Sequence, residues 1–154
     1  MKTVTYKKGI TFENDTCYVG DQSDYHFYLD DAIFCNDRDY LSPSTACGDH
    51  IMVGILLKNL KNVTLDFGGA KLVFHGRIAP FVLDNCENVT LKNCSIDYDR
   101  PFYTQAEILE ADTKHLKIKI ADGFPYWVEG HYLIAVSETW ENRMNTSDLL
   151  LQPY

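Results

Sequence analysis

Two carboxylates, Asp97 and Asp99, stand two residues apart in the segment Ser95-Ile96-Asp97-Tyr98-Asp99-Arg100. On a β-strand, alternate residues share a face, so both side chains would project the same way. Paired carboxylates can cleave a glycosidic bond with inversion when they lie about 6.5–9.5 Å apart, and i/i+2 strand spacing supplies about 6.5–7 Å. The plainer reading is that the pair caps the end of a strand and hydrogen-bonds the loop that follows. Upstream, His75 and Arg77 flank Gly76. An Arg fork and an imidazole can hold sugar hydroxyls or a carboxylate. Structurally, Arg77 could ion-pair with Asp97 or Asp99, and His75 could satisfy a turn.

Tyr98, Tyr103, Tyr126 and Trp127 offer rings on which a pyranose could stack, or they fill a β core. Asn-x-Ser/Thr triplets occur at Asn14, Asn62, Asn88, Asn93 and Asn145, and those at Asn62 and Asn88 fall inside a repeat, where turn roles are expected. The chain carries no Gly-rich phosphate loop, G-x-S-x-G or H-E-x-x-H. Kinase, serine-hydrolase and zincin readings therefore have no motif behind them, and no metal site or cofactor is expected.

The elements that would position these residues emerge from a repeat. Residues 55–65 align with residues 81–91 at an offset of 26, with six of eleven positions identical: Leu57/Leu83, Asn59/Asn85, Asn62/Asn88, Val63/Val89, Thr64/Thr90 and Leu65/Leu91. A period between about 20 and 50 residues marks a stacked architecture. Val63-Thr64-Leu65-Asp66-Phe67 alternates apolar and polar residues, and Lys71-Leu72-Val73-Phe74 reads as a second short strand beyond Gly68-Gly69. Strands this short, without intervening helices, point to a coil in which equivalent strands pair in parallel. Asn59 over Asn85 and Asn62 over Asn88 should form corner ladders, while Leu57/Leu83, Val63/Val89 and Leu65/Leu91 fill the interior.

The expected fold is all-β: the start of a right-handed parallel β-helix, followed by a small antiparallel β-barrel or sheet insertion at the C-terminal end. Residues 1–100 would form an N-terminal cap and the first coils, and residues 101–154 the insertion, cut short. Gly9–Glu13 and Cys17–Val19 read as lead-in strands, and 21–49 as strand pieces in a long loop broken at Ser42-Pro43-Ser44. Gln105–Glu110 and His115–Ile120 should form a hairpin around the turn 111–114, with Leu116, Ile118 and Ile120 facing in. His131–Val136 supplies a further strand after a break from Pro125 to Gly130. The apolar tail Leu149–Tyr154 is what a truncation would leave.

Composition narrows the partners. The 154 residues hold 14 Lys and Arg against 22 Asp and Glu, a formal charge of −8, which disfavours nucleic acid. No apolar run reaches the roughly 20 residues of a membrane span. The N-terminus lacks an apolar segment behind Lys2, Lys7 and Lys8, so no signal peptide is expected. Five cysteines (Cys17, Cys35, Cys47, Cys86, Cys94) with no C-x-x-C pair read as free thiols, which suits a cytoplasmic setting. A secreted or periplasmic protein stays open if the sequence is trimmed.

Leu57 to Phe67, then Phe74-His75-Gly76-Arg77-Ile78-Ala79-Pro80-Phe81, then Ser95-Ile96-Asp97-Tyr98-Asp99-Arg100-Pro101, resemble glycoside hydrolase family 110. These are bacterial α-1,3-galactosidases of the pectin-lyase-like β-helix class, and the resemblance covers roughly residues 9–136. It implies an exo-acting enzyme that releases terminal α-galactose with inversion, without a cofactor, from an oligosaccharide or glycan. It also implies a β-barrel inserted between coils. Family members are several times longer, and the resemblance places their catalytic carboxylates on later coils, downstream of this chain. Within the chain, Asp97, Asp99, His75 and Arg77 are the candidate substrate-binding residues. The rival expectation is a non-catalytic β-helix that binds glycans or serves as a spacer, as in phage tail and adhesin proteins.

Overall fold

A computed structural model of the protein describes residues 1–41, 49–100, 104–113, 115–137 and 140–145. Cys47, Tyr103, the break at 42–44 and the tail 149–154 lie outside the described residues, as does Lys114 of the hairpin turn. The chain divides into two compact units, Met1–Arg100 and Pro101–Tyr154. Among the described residues the regular structure is β, with 3-10 turns at Leu29–Asp31 and Arg38–Tyr40 and no α-helix.

The first unit is built on two sheets that the chain visits alternately. Strands β1 (Lys2–Thr5), β2 (Thr16–Val19), β3 (Tyr25–Phe27), β6 (Lys61–Phe74) and β8 (Glu87–Tyr98) form one sheet, and every pairing in it is parallel. In the other sheet β5 (Ile51–Lys58) pairs in parallel with β7 (Ile78–Asp84) and antiparallel with β4 (Ile33–Cys35). Leu57 lies in register with Leu83, Val63 with Val89, and Leu65 with Leu91, as the repeat predicts. Alternation decides which faces are buried. Ile51, Val53, Ile55 and Leu57 of β5 and Val63, Leu65, Phe67, Ala70, Leu72 and Phe74 of β6 are all buried.

Aromatic rings pack this interior. Phe67 takes edge contacts from Tyr6 and Tyr25 at centroid distances of 5.1 and 5.9 Å, and Phe27 stacks on Phe74 at 4.8 Å. The upper members of the repeat are less covered than expected: Val89 and Leu91 are half-buried and Leu83 is exposed. The reason is one-sided stacking, since β7 and β8 have a parallel neighbour on only one side among the described residues.

The offset of 26 holds from Lys61↔Glu87 to Asp66↔Lys92, then becomes 24 from Ala70↔Cys94 to Phe74↔Tyr98. Gly68 and Gly69 take up the two extra residues. Both have positive φ (65° and 98°), a conformation that glycine adopts without Cβ strain, so the expected pair of strands is one strand bent at that corner. The corner ladders are present. Asn85 Nδ2 donates to Asn59 Oδ1 (2.7 Å), Asn88 Nδ2 to Asn62 Oδ1 (2.8 Å), and Asn62 Nδ2 to Asp15 Oδ1 (2.8 Å). All four asparagines have φ between 48° and 56°, where a short amide side chain is the best substitute for glycine.

One lead-in expectation needs correcting. Residues 9–13 form no strand, and the strand before β2 is β1 instead, which no repeat signalled. Cys17, Cys35, Cys86 and Cys94 are free.

In the second unit β9 (Ala106–Ala111) and β10 (Leu116–Ile120) form the expected antiparallel hairpin, with Leu116, Ile118 and Ile120 on its more covered face. Strands β11 (Tyr126–Glu129), β12 (Tyr132–Ser137) and β13 (Trp140–Asn145) make a second antiparallel sheet. The segment read as a break from Pro125 to Gly130 is therefore mostly strand, closed onto β12 by a turn at Gly130 with φ 58°.

Candidate functional site

Three neighbouring strands of the parallel sheet, β3, β6 and β8, end together, at Phe27, Phe74 and Tyr98. The ladder continues one residue further: His75 N–H donates to Phe27 O (2.8 Å) and Asp99 N–H to Phe74 O (3.2 Å). Tyr28, His75 and Asp99 therefore follow three strand ends that are in register. Gly76, at φ 98°, then turns the chain toward β7.

The side chains at this end interlock. His75 Nδ1 is 2.9 Å from Asp99 Oδ2, and its Nε2 is 2.8 Å from His26 Nδ1 on β3. The Tyr28 ring lies flat on His75, with centroids 4.2 Å apart and planes 12° off parallel. His75 is half-buried between these partners, while His26, Tyr28 and Asp99 are exposed. Beneath them, Lys8 Nζ donates to His26 O and to Asp31 Oδ2, both at 2.7 Å. Asp31 also accepts from Tyr28 N–H, and these bonds, Lys8 foremost, hold its carboxyl below the usual range.

Asp97 and Asp99 are held by different partners. Lys71 Nζ sits 2.7 Å from Asp97 Oδ2, and that bond lowers the Asp97 carboxyl below its ordinary value. A general acid needs the opposite shift. Lys71 contacts Asp97, and His75 contacts Asp99. Arg77 itself is half-buried, one residue ahead of β7. Tyr98 points inward, its hydroxyl donating to Ile78 O (2.9 Å), whereas Tyr126 and Trp127 of the second unit are exposed.

Sequence reasoning reached His75 and Asp99 but missed His26, Tyr28 and Lys71. Residues 25–28 and 72–75 share the phenylalanine at Phe27 and Phe74, but little else reveals their pairing at an offset of 47. A second polar cluster joins Tyr40, Lys58 and Asp84. Tyr40 OH donates to Asp84 Oδ2 (2.5 Å), and Lys58 bonds both, at 3.0 Å to the hydroxyl and 2.9 Å to the carboxylate. It lowers Asp84 and raises Tyr40 and Lys58, and it ties the second 3-10 turn to β5 and β7.

No protein-family model matches the chain. Curated relatives do. Alpha-1,3-galactosidase B of Bacteroides thetaiotaomicron is 32% identical over 121 residues, which is 78% of this chain and 19% of that protein. Alpha-1,3-galactosidase A of Shewanella woodyi is 38% identical over 109 residues, 69% of this chain and 18% of that protein. Alpha-1,3-galactosidase B of Phocaeicola vulgatus reaches 50% over a shorter stretch of 60 residues. The chain is thus related to bacterial α-1,3-galactosidases and through them to glycoside hydrolases, and it spans about a fifth of the length of the first two.

Proposed function

We propose that this chain is the N-terminal portion of a glycoside hydrolase of family 110, an exo-acting α-galactosidase that removes terminal α-1,3-linked galactose with inversion. The observation that carries this reading is the similarity itself, which runs over 78% of the chain at 32% identity to one such enzyme. The fold assigned with it is the start of a right-handed parallel β-helix. Support comes from the alternation of β5, β6, β7 and β8 between two sheets whose successive members pair in parallel. On this reading residues 1–100 carry the first coils, and residues 101–154 form an antiparallel insertion.

The chemistry divides accordingly. Inversion needs a protonated acid and a base on opposite sides of the scissile bond. Asp97, ionised against Lys71, does not suit the acid, so the reacting carboxylates are assigned to coils beyond this chain. His75, Arg77, Asp97 and Asp99 remain for the sugar or for the loops that hold it.

The test is galactose release from a terminal α-1,3-galactosyl oligosaccharide, with the anomer of the product followed by NMR. The protein from the longer reading frame should release β-galactose, and the 154-residue chain alone should release none. Turnover by the short chain that Asp97→Asn or Asp99→Asn abolishes would overturn the assignment. A longer protein that binds the oligosaccharide without cleaving it would favour a glycan-binding β-helix.

A further inference from the structure

With both imidazoles neutral, donor counting fixes how the hydrogens run through His26, His75 and Asp99. A carboxylate only accepts, so the 2.9 Å contact to Asp99 requires the hydrogen of His75 on Nδ1. In the neutral ring Nε2 is then an acceptor. The 2.8 Å contact to His26 Nδ1 therefore requires the His26 hydrogen on Nδ1. By elimination, the Nε2 of neutral His26 carries a bare lone pair. Asp99 thus sets the tautomer of an imidazole that it does not touch, much as an outer carboxylate orients a histidine at a reactive centre.

That lone pair belongs to an exposed residue, and the same His75 that bonds His26 carries the Tyr28 ring. Tyr28, two residues on, keeps 51% of its surface exposed while one face rests on His75. We propose that His26 and Tyr28 form a pyranose-binding subsite, held in place by His75 and Asp99. The Tyr28 ring takes the apolar C–H face of the sugar, and His26 Nε2 accepts a hydrogen from one of its hydroxyls. A neutral polyol fits better than the alternatives. An anion would meet Asp99 and Asp31, with Lys8 already committed to Asp31 and Lys71 to Asp97. A metal ion fits less well, because the facing atoms of His26, His75 and Asp99 are spent on one another. No group of His, Cys, Asp or Glu arranged to hold a metal is found among the described residues. A ring with a C–H face and outward hydroxyls uses both features at once.

This inference rests on the carbohydrate reading of the chain and names a place for the sugar within it. The experiment titrates methyl α-galactopyranoside into the full-length protein by saturation-transfer NMR, in parallel with the galactose-release assay. Wild type should bind in the millimolar range. His26→Ala and Tyr28→Ala should each weaken binding at least fivefold, with melting temperatures unchanged. Tyr28→Phe, which keeps the ring, should restore affinity to within twofold of wild type. Wild type that releases galactose while both alanine variants bind as it does would sink the subsite and leave the enzyme assignment standing. Sugar binding that depends on His26 and Tyr28, in a protein that cleaves nothing, would support the subsite and remove the enzyme assignment. Absence of binding to wild type would overturn the subsite outright.

Discussion

Leu57 and Leu83 are the same residue at the same place in two copies of one repeat, paired Cα to Cα, yet the first is 0% exposed and the second 46%. Leu72 and its partner Ile96 differ in the same way, at 0% and 48%. Inward orientation is common to both copies, because β-alternation is local. Burial is not. In a parallel stack each strand is covered from two sides, and among the described residues β5 and β6 have neighbours on both sides whereas β7 and β8 have one. A repeat thus specifies which face is apolar, while the number of stacked neighbours decides how much that face contributes to stability.

Truncation should expose this contrast most strongly. Leu57→Ala is expected to cost about 2–5 kcal/mol, the range for deleting a fully buried leucine side chain. Leu83→Ala should cost under about 1 kcal/mol, as surface changes do. Urea unfolding of the 154-residue chain measures both. Equal losses would mean that Leu83 is covered as well as Leu57, and the contrast would fail. A longer protein in which the Leu83→Ala cost rises toward that of Leu57→Ala would show a further row stacked upon it.

The asparagine ladder offers a smaller version of the comparison. Asn62 bonds both Asp15 below and Asn88 above, whereas Asn88 accounts for only the second of these bonds. Both stand at positive φ, 54° and 55°. Alanine at either position meets the left-handed backbone penalty of about 1–2 kcal/mol. Asn62→Ala should exceed Asn88→Ala by about one hydrogen bond, roughly 1 kcal/mol. Glycine at each site removes the backbone penalty and leaves the ladder difference alone, so a gap that disappears with glycine would refute the ladder's contribution.

The smallest expected effect is electrostatic. Lys71 lowers the Asp97 carboxyl, and Asp66 is lowered by Asn93, then by the Gly68 N–H and Lys92. A carboxyl depressed on folding stabilises above its unfolded value of about 3.9, and that contribution is lost as pH falls through the lower folded value. Asp97→Asn and Asp66→Asn should therefore each lower the melting temperature at pH 7, by an amount that shrinks as pH falls through the lowered folded value. Asp66, with three stabilising partners to the two of Asp97, should show the larger difference. A pH-independent loss would point to lost packing instead.

Much of the first unit was legible because its signals are local or repeated. The six identities between 55–65 and 81–91 carried the register, and asparagines spaced at the corners carried the positive-φ turns. The shift from 26 to 24 was not legible. It depends on Gly68 and Gly69 bulging at a corner where the next row turns at Asn93 alone, and an ungapped alignment that ends at Leu65/Leu91 never meets that corner. Strand β1 escaped notice because its residues, Lys-Thr-Val-Thr, bury little and pair only because β2 is there to receive them.

The candidate site shows the same division. Sequence alone determined that His75 and Asp99 are polar groups just past two strand ends, because alternation and spacing are properties of the local chain. It determined as well the apolar interior of β5 and β6. Only the tertiary structure decided that Asp97 meets Lys71, and that His26 and Tyr28 come back across 47 residues to meet His75. The physical reason is that parallel pairing joins segments with no turn between them to announce the contact, so their meeting is decided by the path of the whole chain.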